Sequence, residues 1–369
     1  MLIWAAFMSA IVGGALVWDA VSGFARLRGL RWTSLRPAGA LAIGVIALLG
    51  SAALALEADA APVVALGLLL ALPLHAALAL TRQRALLPAA WTGEGIGDHH
   101  RATPVEIALR DDTVPALLYE PYGPAVGAIA LLHGAGAHKS FYSWPLVEAL
   151  VHAGFAVCAI DLDGHGDNRR VLDFPSVLEN VGATAAWLQE RWRWTAIVGV
   201  SLGGCVAARA VAEGVAVDAL AILESPATLA VTRRVVRHEG WTLFRAATWR
   251  LHRYAGTLPL IQAWKTEPTR TRIGTADLIR VLDLPASLAR ISCPLWLCYG
   301  GSDLVVPMPE VHRIRAAAPS GTPLVLVPRA THLSLPLDPR AHRQLVAWLG
   351  ATNDKRRTTN DRGRTTNDE

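Results

Sequence analysis

A chain of 369 residues is long enough for one large domain or two smaller ones. Hydrophobic residues make up 52% of it and its mean hydropathy is positive, which is high for a wholly soluble protein. The formal charge of +5 is modest, and the arginines are scattered without interleaved aromatics, which argues against a nucleic-acid partner.

The apolar residues crowd into positions 1–80. Leu2–Trp18 and Ala38–Leu56 carry no charge, and Ala60–Leu80 has His75 as its one titratable group. A helix needs about 20 apolar residues to cross a bilayer, and the pattern predicts three spans, at about 2–21, 38–56 and 60–80. None shows the polar stripe of a soluble core helix. No Lys or Arg precedes Arg26, which argues against a cleaved signal peptide. Arg26, Arg28, Arg31 and Arg36 separate the first two spans, only Glu57–Asp59 separates the next two, and Arg82 and Arg84 follow the third. Arginine-bearing flanks stay on the cytoplasmic side. The expectation is therefore a cytoplasmic-membrane protein with everything after Leu80 inside the cell. His75 is read as structural, and residues 81–101, Gly-rich and holding a pair of histidines, as a linker.

From Ala102 the pattern changes to short runs of Val, Ile and Leu alternating with helical segments. Val105–Arg110 and Val114–Pro121 read as antiparallel strands. Strands then follow at "AVGAIALLHG", "FAVCAID", "TAIVGV", "VDALAILES", "PLWLCYG" and "TPLVLVP", with helices at "SWPLVEALVHAG", "SVLENVGATAAWLQERW", Leu202–Glu213 and Pro339–Leu349. Such alternation predicts an α/β fold, a mostly parallel sheet flanked by helices, with reactive groups in loops at the carboxyl ends of the strands. The four cysteines (Cys158, Cys205, Cys293, Cys298) lie in or beside apolar runs with no metal spacing. They read as buried free thiols.

One such strand end is "AIVGVSLGGCVA", residues 196–207. A serine hydroxyl attacks only if a base takes its proton and the chain exposes it. A sharp strand-to-helix turn exposes Ser201, and the close approach of strand and helix demands small residues, met by Gly199, Gly203 and Gly204. An acid and a base must follow in that order. Asp303, in "GGSDLVVP", and His332, in "RATHLSLP", each lie just beyond a strand, with Glu224 at the end of "LAILES" as the fallback acid. An oxyanion needs two backbone N–H groups. Leu202 supplies one, and Ala135, between Gly134 and Gly136, is the choice for the other; His133 is read as bracing that loop.

With these motifs assembled, the chain from about Ala102 to Gly350 resembles the α/β-hydrolase superfamily. "LLHGAG" looks like its oxyanion loop, "GVSLGG" like its nucleophile elbow, "GGSDLVVP" like its acid turn and "THLS" like its histidine loop. "AIDLDGHGDN" is similar to the loop after the family's fourth strand, in which Asp161 and Gly164 are read as structural. Serine at 201 argues against the branches that carry aspartate there. The resemblance implies esterase or lipase chemistry: Ser201, His332 and Asp303 would cleave an ester or thioester through an acyl-enzyme, with no metal or organic cofactor. The expected partners are a small acyl ester or lipid substrate and the membrane. A peptidase, an acyltransferase and a non-catalytic binding protein remain as alternatives, and oligomeric state is left open.

Residues 227–290 form an insert where the family carries its cap. Its Arg- and Trp-bearing stretch reads either as a solvated cap helix or as a lid lying on an anionic leaflet. Residues 351–369, all but two of them polar, read as a disordered tail.

Overall fold

A computed structural model describes residues 2–24, 35–91, 100–139, 145–243 and 270–365. The chain divides into two compact units, one that includes the N-terminal helices and one that includes every described strand.

The first unit holds α1 (Leu2–Phe24), α2 (Pro37–Glu57) and α3 (Ala61–Trp91). Each contains a stretch long and apolar enough to cross a membrane: Leu2–Ser22, Pro37–Glu57 and Ala61–Ala79. Small residues let the backbones meet. A Cβ on Gly13 would lie 2.9 Å from Gly44 O, and one on Gly67 would lie 2.8 Å from Ala10 Cβ. Ser51 Oγ donates to Ala6 O at 2.6 Å and Ser9 Oγ to Ala47 O at 2.7 Å. Close packing on small residues with hydroxyl bonds to facing carbonyls is the usual way helices associate in lipid. The helix α3 corrects the expected linker, because it runs past residue 80 to Trp91. Arg82, Gln83 and Arg84 are good helix formers, and no glycine interrupts the chain before Gly93.

The second unit is an α/β-hydrolase fold. Its eight-stranded sheet has the order β1-β2-β4-β3-β5-β6-β7-β8. The strands are β1 (His100–Ala108), β2 (Thr113–Pro121), β3 (Gly127–Leu132), β4 (Phe155–Ile160), β5 (Thr195–Val200), β6 (Ala219–Leu223), β7 (Leu295–Gly300) and β8 (Leu324–Val327). The β1–β2 and β2–β4 pairs are antiparallel and every later pair is parallel. The first strand starts at His100, ahead of the expected Val105, because Arg101–Pro104 pair with Leu117–Glu120 and extend the hairpin.

Strands β3 to β6 are buried along their whole length, as expected where helices cover both faces. One face packs Ile197, Ile222 and Tyr299 against α5 (Val177–Gln189) and α6 (Leu202–Ala212); the other packs Val198, Leu223 and Trp296 against α4 (Pro145–His152). The insert contributes α7 (Arg233–Leu243), α8 (Thr275–Leu282) and α9 (Leu284–Leu288), and α10 (Met308–Ala317) follows β7. Most of the expected Trp-bearing lid stretch, residues 244–269, lies outside the described residues.

The last helix, α11 (Pro339–Thr365), corrects the expected disordered tail. Its first turns are held by buried Ala341, Leu345 and Leu349. Extending a helix that already exists costs far less than starting one. The polar residues beyond find partners: Asn353 Nδ2 donates to Val126 O at 3.0 Å and Arg356 pairs with Asp218.

Candidate active site

The β5–α6 turn shows why its glycines are required. Ser201 sits at φ 51°, ψ −117°, a conformation that costs a non-glycine residue about 1–3 kcal/mol. A Cβ on Gly199 would lie 2.4 Å from Gly204 Cα, inside any permitted contact. One on Gly203 would lie 2.4 Å from Leu132 O and 2.6 Å from His133 O. The second approach has a further consequence: the start of α6 abuts the backbone that leads into the loop of Gly134, Ala135 and Gly136. Leu202 opens α6, where the first backbone N–H groups have no carbonyl one turn back. Ala135 is exposed in its loop and Gly136 takes a φ of 72°.

His133 and Asp161 hold that loop in place. Leu162 N donates to His133 Nε2 at 3.1 Å, while Nδ1 lies 2.8 Å from Gly134 O. The ring therefore carries its proton on Nδ1 and must be neutral, and burial together with the charge of His165 lowers its pKa well below the usual imidazole value. Asp161 accepts from Lys139 N and Nζ, both at 2.6 Å, and from Asp167 N at 2.8 Å. Burial pushes the Cys158 thiol up to about 12, so it stays protonated, and all four cysteines are free.

Ser201, Asp303 and His332 come from three separate strand ends and meet. Ser201 Oγ lies 3.0 Å from His332 Nε2, and His332 Nδ1 lies 2.9 Å from Asp303 Oδ2. The aspartate accepts, which leaves Nε2 to accept from the serine hydroxyl. Asp303 is itself fixed: its Oδ1 accepts from Val305 N at 2.7 Å and Val306 N at 2.9 Å.

The fallback acid lies close by. Glu224, Asp303 and His332 offer atoms that all lie within 4.8 Å of one another. Glu224 is buried, and among the described residues its Oε2 has no hydrogen-bond partner. Burial, then the charges of Asp303 and Glu239, raise its pKa well above the usual carboxyl value, which favours the neutral acid. An ion held among these three groups would have to replace the Asp303–His332 hydrogen bond.

The family model described as serine aminopeptidase S33, Hydrolase_4, matches residues 123–340. The chain belongs to this family. Within Hydrolase_4 it is similar to a pimeloyl-[acyl-carrier protein] methyl ester esterase of Xylella fastidiosa, 29% identical over 236 residues, which cover 54% of this chain and 84% of the relative. The esterase of the same name from Serratia marcescens is 26% identical over 238 residues, covering 59% of this chain and 91% of the relative. Among solved structures, an esterase of Rhodococcus sp. superposes with a TM-score of 0.53 at 16% identity, over 68% of this chain and 99% of that one. At that identity the likeness establishes the fold. This Hydrolase_4 chain is thus an α/β hydrolase with three long apolar helices ahead of the family's domain.

Two residues near the site were not singled out from the sequence. Glu239 and His238, on α7, bond to the loops of His332 and Asp303. No motif marks them, because their partners are backbone groups distant in the chain.

Proposed function

We propose that the protein is a membrane-anchored carboxylic ester hydrolase that works through an acyl-enzyme. The observation that carries this reading is the unbroken line of contacts from Ser201 Oγ to His332 Nε2 at 3.0 Å and from His332 Nδ1 to Asp303 Oδ2 at 2.9 Å. His332 takes the proton of Ser201 as Oγ attacks the acyl carbonyl. The new C–O bond places negative charge on the carbonyl oxygen, met by the N–H groups of Leu202 and Ala135 and by the positive end of α6. Asp303 stabilises the imidazolium. His332 then gives its proton to the departing alcohol. Water, deprotonated by the same histidine, releases the acid and restores Ser201.

The relatives' names support an ester of an acyl chain with a small alcohol, and a thioester fits the same mechanism. Anchoring is supported by the three apolar helices, and cytoplasmic placement of the hydrolase unit by the arginines flanking them. A lipid or membrane-borne acyl chain is the substrate class this anchoring favours. The family's description favours one second reading, an aminopeptidase using the same residues.

The test is fluorophosphonate labelling of membranes that carry the full chain, beside Ser201→Ala and His332→Ala, followed by hydrolysis of p-nitrophenyl esters of graded length and of aminoacyl p-nitroanilides. Labelling that requires both residues, with turnover of esters alone, supports the proposal. Unlabelled but folded wild-type protein refutes it, and turnover of the anilides alone favours the peptidase.

A further inference from the structure

The first helix of the insert has two unlike faces. On α7, Arg233, Arg234, Val236 and Arg237 are exposed, while Val235 and Glu239, one turn apart, are buried and His238 is half-buried beside them. The inward residues do more than pack. Glu239 Oε1 accepts from His332 N at 3.3 Å and its Oε2 accepts from Leu333 N at 3.0 Å. His238 Nε2 lies 2.9 Å from Ser302 O, to which it donates. Ser302 directly precedes Asp303. Two consecutive residues of one helix therefore hold the loops that carry the acid and the base.

We infer that Glu239 is a positioning residue for the proposed triad: it clamps the His332 loop from the insert, with His238 holding the Asp303 turn beside it. This rests on the assignment of Ser201, His332 and Asp303 in the proposed function, and adds the element that sets their alignment. His332 must satisfy Ser201 Oγ and Asp303 Oδ2 at once, so a small backbone shift breaks one contact or the other. The two loops leave the paired strands β7 and β8 and meet where Ser302 N donates to Ala330 O at 2.8 Å, but that bond stops two residues short of His332, whose own backbone is taken by Glu239. A buried carboxylate that takes two adjacent N–H groups makes strong, charge-assisted bonds and fixes the backbone in position and direction. The bond from His238 falls on Ser302 O, one residue before the acid, and holds the base less directly. The arrangement also ties the insert to the chemistry, since any displacement of α7 moves both loops.

The experiment uses the full chain in membranes or detergent, with p-nitrophenyl ester kinetics and the rate of fluorophosphonate labelling as readouts. Displacement of a catalytic group by about 1 Å costs on the order of 100-fold in rate. Glu239→Ala is expected to lower kcat by about 10- to 100-fold, slow labelling in proportion and leave KM within a few-fold. Glu239→Gln keeps one acceptor and should recover part of that loss, and His238→Ala should lose less than either. A kcat for Glu239→Ala within twofold of wild type overturns the inference. So does a rise in KM at unchanged kcat, which marks a cap residue that only shapes the binding site. If Glu239→Ala does not fold, Glu239→Gln decides by the same kcat criterion. Ser201→Ala separates this failure from that of the proposed function: if it retains turnover, the triad assignment fails whatever Glu239 does.

Discussion

The two units of the chain distribute the same residue types in opposite ways. In the N-terminal helices the large apolar side chains face outward, as Ile46, Leu49, Leu56 and Leu69 do, while alanines and the polar Asp19, Ser22, Ser51 and His75 lie inside. In the hydrolase unit the order is reversed: Trp296, Tyr299 and Ile129 are fully buried and the exposed surface is mostly polar. Apolar burial of this second kind is driven by water. The first kind gains nothing from water and fits a lipid surround, in which helices hold together through close packing and hydrogen bonds. What the contrast teaches is that hydrophobicity alone does not say what is inside; the solvent decides.

This comparison can be tested from both sides. The largest effect belongs to the hydrolase unit: Ser201→Ala should lower ester turnover by about 10⁴-fold or more while membrane integration, followed by carbonate extraction, stays unchanged. Next is the outward face of the helices. Ile46→Arg puts a charge on α2 in place of a side chain that is 69% exposed, and should weaken insertion by about 3 kcal/mol, read as a smaller membrane-integrated fraction. If Ile46→Arg has no effect on integration, the lipid-facing assignment fails.

Within the water-driven core, Gly203→Ala forces a methyl group against the backbone at Leu132 and His133. Overpacking of that kind costs about 1–3 kcal/mol, measurable by urea unfolding of the hydrolase unit in the intact chain, with slower fluorophosphonate labelling alongside. Glu224 adds a pH dependence. Its pKa is raised in the folded state, so the native protein binds more protons than the unfolded chain at pH values above the ordinary carboxyl value of 4.5. Stability contributed by the neutral acid is therefore complete below that value and is lost as pH rises through the folded pKa. Glu224→Gln should flatten that decline in a Tm-versus-pH series, and a slope identical to wild type would contradict the assignment. The smallest effect is Asn353→Ala, which removes one partly buried hydrogen bond to Val126 and should cost about 1 kcal/mol.

The parts of the fold that were legible share one property: local pattern decides them. The β5–α6 elbow was readable because no side chain fits where Gly199, Gly203 and Gly204 stand. The strands were readable because a sheet covered on both faces needs unbroken apolar runs. Chain order narrowed the acid and the base to strand ends. The misreading of the C-terminal tail came from tertiary support, that of α3 from local helix propensity set against composition. Polarity in residues 351–365 argued for a tail, yet Asn353 and Arg356 find partners on the hydrolase unit and the helix continues. Good helix formers carried α3 through what composition marked as a linker.

Glu239 marks the boundary most sharply. Nothing around it in the chain distinguishes it from any other charged residue of an exposed helix, since its role consists of two N–H groups more than ninety positions away. By itself the sequence determined the three apolar helices, the α/β order and the candidates for the proposed triad, because periodicity and steric demand act over a few neighbouring residues. Only the tertiary structure decided that Asp303, and not Glu224, bonds to His332, and that α7 reaches both of their loops. Those outcomes depend on which backbone groups meet across the fold, and no local pattern encodes that distance.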